Sequence, residues 1–80
     1  MINYYKILGL ETYASVSVAK SAYKKLIKIY HPDISDSPDA EEMTRLLNRA
    51  KDHVGTALAK EKYDRKLKLA YLREIQRLSG

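Results

Sequence analysis

Eighty residues with a net charge of +5, no cysteine, no phenylalanine, no tryptophan and seven tyrosines describe one small domain, since a chain of this size buries only roughly 60% of the surface its unfolded form exposes. The absence of thiols excludes disulfides and thiolate metal sites, and with His31 and His53 as the only imidazoles neither a structural zinc nor a cofactor is expected. No stretch is apolar for long enough to span a bilayer, and Met1 to Tyr5 has neither the basic start nor the apolar middle of a secretory signal, so a soluble cytoplasmic protein is expected.

The first element is short. Asn3 is placed to cap a helix through Tyr4, Tyr5, Ile7 and Leu8, and Gly9 to end it in a left-handed conformation. Leu10 to Ala14 is a connection. Ser15 then caps a second helix, on which Ala19, Ala22, Tyr23, Leu26 and Tyr30 recur at steps of three and four and form the core stripe. Lys20, Lys24, Lys25 and Lys28 fall on the other side, in water. This helix must stop at Tyr30 or His31, because Pro32 lacks a backbone donor and pushes the residue before it out of the helical region. A histidine and an aspartate are left on a stiff loop, displayed at the end of a basic helix.

Ser37-Pro38 reads as an N-cap followed by proline at the first position of a third helix, and Asp39, Glu41 and Glu42 suit the positive end of its dipole. Met43, Leu46, Leu47, Ala50 and Val54 give it an apolar stripe, which packs antiparallel against the second helix. Gly55 stops it and Thr56 caps the next. Ala57 to Leu78 contains no Gly or Pro and is rich in Lys, Leu, Ala, Glu and Arg, all good helix formers. Its stripe of Tyr63, Leu67, Tyr71, Ile75 and Leu78 is longer than so small a domain needs. That leaves its distal part either to pack back on the body or to meet something else.

Charge is arranged in blocks. The lysines of the second helix have no acidic neighbour between Ser15 and Tyr30, whereas Asp33, Asp36, Asp39, Glu41 and Glu42 follow with no basic residue among them. A basic helix suits an acidic partner surface. Taken alone, such a lysine run is usually a solvated face, and His31 near the helix C-terminus and Asp33 in the loop can serve as a dipole contact and a loop brace.

Asn3-Tyr4-Tyr5-Lys6-Ile7-Leu8-Gly9-Leu10, then Ala22-Tyr23-Lys24-Lys25-Leu26, then Tyr30-His31-Pro32-Asp33 and Lys62-Tyr63-Asp64 together resemble the J-domain family of DnaJ-like co-chaperones, from Asn3 to about Leu67. The resemblance implies an all-α fold: a short helix, an antiparallel helical hairpin joined by the His-Pro-Asp loop, and a C-terminal helix. It also implies a J-domain over residues 1–66 with 67–80 as an extension of the last helix. By position, Lys20, Tyr23, Lys24 and Lys25 correspond to the family's partner-facing helix, and His31, Pro32 and Asp33 to its signature loop. The resemblance implies that their partner is the ATPase domain of a heat-shock chaperone of the seventy-kilodalton class, whose ATP hydrolysis they are expected to stimulate. The chain departs from the family in carrying Thr44 and Lys51 where its third helix has aromatics, and Ile34 where a basic residue is common.

Two other readings compete. His31 and Asp33 form a base and orienting acid in principle, but no Ser or Cys is positioned by sequence to be activated, so no enzyme is expected. A nucleic-acid module would use Lys20, Lys24, Lys25 and Lys28 with the basic last helix. The acidic run from Asp33 to Glu42 beside that face repels phosphates, so neither nucleic acid nor membrane is an expected partner. The distal part of the last helix remains available to further chain or another protein.

Overall fold

A computed structural model describes residues 1–79, and these form four helices: α1 (Tyr4–Ile7), α2 (Val16–Tyr30), α3 (Ala40–Val54) and α4 (Ala57–Ser79). The Asn3 side chain accepts from the Tyr5 and Lys6 N–H groups, and Gly9 sits at φ +71°, so α1 is capped at both ends as its sequence requires. Ser15 accepts from the Val18 N–H at the start of α2. Gly55 ends α3 by a different device. Its φ is −90°, and a Cβ there would lie 2.4 Å from the Lys51 carbonyl oxygen, so glycine is needed for close approach and not for a left-handed turn.

The expectation for the start of α3 is corrected by two residues. Pro38 is not the first helical residue; the helix opens at Ala40. Ser37 still works as a cap, accepting the Asp39 N–H on its hydroxyl at 3.3 Å and the Ala40 N–H on its carbonyl at 3.1 Å. The result is a tight turn before the regular helix, the usual way a helix end is displaced by a residue or two.

α3 is the central element, in contact with α1, α2 and α4. Tyr30 meets Thr44, Tyr23 meets Asn48 and Lys20 shares a groove with Gly55 and Thr56, so α2 and α3 run antiparallel. The core comprises Tyr4, Tyr5, Leu8, Ala19, Leu47, Ala50, Val54, Tyr63 and Leu67, with Ala22, Tyr23, Leu26, Ile27 and Tyr30 of α2 packed half-buried at its edge. Three of nine core residues are tyrosines, and each buried hydroxyl needs a partner. Tyr63 donates to the Ile2 carbonyl and accepts from the Tyr4 N–H at 3.0 Å. Tyr5 donates to Asp64 and accepts from the Lys60 ammonium.

The stripe of α4 divides where it leaves the body. Tyr63 and Leu67 are buried, whereas Ile75 and Leu78 are 60% and 73% exposed. Tyr71 marks the boundary: its ring is partly exposed and its hydroxyl accepts from the Asn3 side-chain amide at 2.7 Å. No helix among the described residues is long and apolar enough to cross a membrane.

Candidate docking surface

The loop between α2 and α3 is fixed by its own backbone. His31 has left the helix (φ −59°, ψ 132°), as a residue before proline must, and its carbonyl accepts from both the Ile34 and Ser35 N–H groups at 2.9 Å. Pro32 and Asp33 are held in the turn so closed. The Asp33 N–H donates to His31 Nδ1 at 3.2 Å, which puts the proton of the neutral ring on Nε2. The Asp33 carboxylate lies 3.6 Å from the same ring nitrogen and is 89% exposed. It is an outward-facing acceptor, and among the described residues no lysine or arginine pairs with it.

Termination of α2 at proline leaves its last carbonyls without intrahelical donors. The Thr44 hydroxyl satisfies one, donating to the Tyr30 carbonyl at 3.1 Å. A hydrogen bond from α3 thus pins the end of α2 at a position where the family pattern has an aromatic.

The helix residues singled out from the sequence do not all share one surface. Lys20, Tyr23 and Lys24 line a groove with Lys51, Asp52, Gly55 and Thr56. Lys25 lies on the opposite flank of α2, in a second, apolar groove with Leu8, Leu10, Val18, Leu26 and Ile29 among its walls. His31, Pro32 and Asp33 sit at the far end of the helix, about 10 Å along the axis from Lys24 at 1.5 Å per residue. Tyr23 serves both sides. Its ring packs half-buried against the core edge, and its hydroxyl donates to Asn48 Oδ1 at 2.6 Å.

Two features escaped the sequence reading. Lys51 reaches over the Tyr23 ring, with Nζ 5.1 Å from its centroid, a contact foreshadowed only by Asn48, Lys51 and Gly55 sharing one face of α3 at helical spacing. The other is the cluster of Tyr5, Lys60 and Asp64 between α1 and α4, in which the Lys60 ammonium bonds Asp64 at 2.5 Å and Tyr5 at 3.0 Å. It is largely enclosed and structural. His53 is an exposed boundary residue, stacked on Tyr4 with centroids 4.5 Å apart. No group of three or more metal-ligating side chains converges among the described residues.

Residues 3–64 match the family described as the DnaJ domain. The chain belongs to that family. This J-domain is 45% identical over 60 residues to the chaperone protein DnaJ of Lactiplantibacillus plantarum, covering 75% of the chain and 16% of the relative. It is 46% identical over 63 residues to the chaperone protein DnaJ of Rickettsia akari, covering 79% and 17%. A curved DNA-binding protein of Pseudomonas putida strain W619 is 44% identical over 62 residues, covering 78% and 20%. The J-domain thus spans a fifth or less of the length of these relatives, and their names describe much longer proteins.

Proposed function

We propose that this J-domain is a non-enzymatic co-chaperone that docks on the ATPase domain of a heat-shock chaperone of the seventy-kilodalton class, in the cytoplasm, and stimulates its ATP hydrolysis. The observation that carries the reading is the Asp33 carboxylate, exposed on a turn closed by two backbone hydrogen bonds and preceded along α2 by lysines. Such a carboxylate accepts charge-assisted bonds from an arginine of the partner. A loop already ordered by Pro32 and the His31 carbonyl loses little entropy on docking. His31 contributes its Nε2–H, the one imidazole donor left free by the Asp33 N–H.

Lys20, Lys24 and, from the other flank, Lys25 steer the encounter with an acidic surface, an effect on association rate and salt sensitivity more than on the docked state. Tyr23 gives the contact an aromatic edge. The partner moves toward its hydrolysis-competent state only to the extent that this state binds the surface better than the other. Residues 1–66 do this work, and 67–80 form an extension beginning at buried Leu67, free along its distal part for further chain or another protein.

His31→Gln and Asp33→Asn each cut stimulation of single-turnover ATP hydrolysis by about tenfold or more, with the helical circular dichroism spectrum unchanged. Full stimulation by either variant would sink the proposal. Salt-steep binding to DNA that survives Asp33→Asn would favour a nucleic-acid role instead.

A further inference from the structure

The groove beside α2 is not built from α2 alone. Lys51 belongs to α3, yet its ammonium stands over Tyr23, and the same groove is lined by Lys20 and Lys24. Three lysines therefore line one groove with Tyr23, and one of them, Lys51, stands over its ring. None of the three has a carboxylate within ion-pair distance among the described residues. Asp52 is the single acidic group on the groove wall, so the rim keeps a positive excess.

The Tyr23 ring is held in place. Tyr23 is tethered to α3 through Asn48 at 2.6 Å, and Lys51 rests on its face, so neither side chain is as free as a surface lysine or tyrosine ordinarily is. Preordered groups lose less on binding. Gly55 and Thr56 also line the groove. An open slot with an aromatic wall and three unpaired cations fits an acidic protein segment whose carboxylates meet the lysines while its apolar atoms cover Tyr23.

We propose that Lys51 is a specificity-determining residue of the docking surface, which thus spans α2 and α3 and takes an acidic segment of the chaperone's ATPase domain carrying two or more carboxylates. The inference rests on the docking role assigned above and adds to it a contact from α3. Lys51 acts on recognition, whereas the His31-Pro32-Asp33 loop acts on the partner's hydrolysis step, so the two are separable in one titration.

The 80-residue chain is titrated into the host's own chaperone under single-turnover conditions, and the half-saturating concentration and the plateau of stimulation are read separately. Lys51→Glu raises the half-saturating concentration about tenfold and Lys51→Gln about threefold, the plateau being kept and the salt dependence made shallower. Lys66→Glu is the control for net charge, since Lys66 lines a different cleft with Tyr4 and His53, and it stays within about twofold of the parent. A Lys51→Glu chain within twofold of the parent, or an equal shift from Lys66→Glu, overturns the inference while Asp33→Asn still cuts the plateau by about tenfold or more. Full stimulation by Asp33→Asn overturns the docking reading and this inference together.

Discussion

The molecule contains the same pairing twice, a lysine ammonium over a tyrosine ring, with opposite outcomes. Lys60 lies 5.2 Å from the centroid of Tyr5 and Lys51 lies 5.1 Å from that of Tyr23. Around Tyr5 the circuit is closed. The hydroxyl donates to Asp64, Lys60 bonds both, and the ring is fully buried. Around Tyr23 it is open, with a half-exposed ring, no carboxylate on Lys51 and two more lysines on the rim. A cation beside an aromatic becomes part of the scaffold when a carboxylate neutralises it out of water, and keeps its charge exposed when none does.

The closed cluster is the more costly one to break. Asp64→Asn leaves Lys60 enclosed with no counter-charge and weakens the Tyr5 contact, and it lowers stability by about 2–4 kcal/mol, measured by urea unfolding. Lys51→Gln lowers it by less than about 0.5 kcal/mol, as an exposed site should. Equal losses at the two sites would erase the contrast between them.

Alkaline pH attacks the same cluster next. Burial, with the hydrogen bond to Asp64, pushes the Tyr5 hydroxyl from 10.0 up to about 12. Between those values the folded chain holds a proton the unfolded chain has released, so stability that is fully present below pH 10 falls as pH rises toward 12. Lys60 acts in the same sense. Burial pulls its ammonium down, but hydrogen bonds to Asp64 and Tyr5 outweigh that and leave it raised, so its share is lost as pH climbs through that raised value. Denaturant midpoints recorded from pH 9 to 12 decline for the parent chain and decline less steeply for Tyr5→Phe; parallel curves would remove Tyr5 as the cause.

At the open cluster the effects are small. Tyr23→Phe keeps the ring and loses the hydrogen bond to Asn48, which lowers stability by about 0.5–1.5 kcal/mol. It leaves the Lys51 contact in place. A loss above that range by thermal unfolding would move Tyr23 from the rim into the scaffold.

Much of this was legible in residue order because its causes are local. Asn3 and Ser15 bond N–H groups two and three residues on, Gly9 takes the left-handed turn, and Pro32 ends α2 whatever lies around it. The start of α3 was legible only to within two residues, since Ser37 can cap a tight turn as readily as a regular helix. Tyr13 gave no signal. It is a non-glycine residue at φ 69°, a conformation that surrounding structure must hold, and its carbonyl accepts from Lys60 at 3.5 Å.

The sequence alone determined the four helices and the loop that ends α2, because capping, proline geometry and apolar periodicity act over a few residues, and its motifs carried the family resemblance. Only the tertiary structure decided which charges became neighbours. It put Lys25 on one flank of α2 and Lys20 with Lys24 on the other, brought Lys51 across from α3, enclosed Lys60 with Asp64 and carried Ile75 and Leu78 beyond the core. Those outcomes depend on the rotation and crossing of packed helices, which no spacing within a single helix encodes.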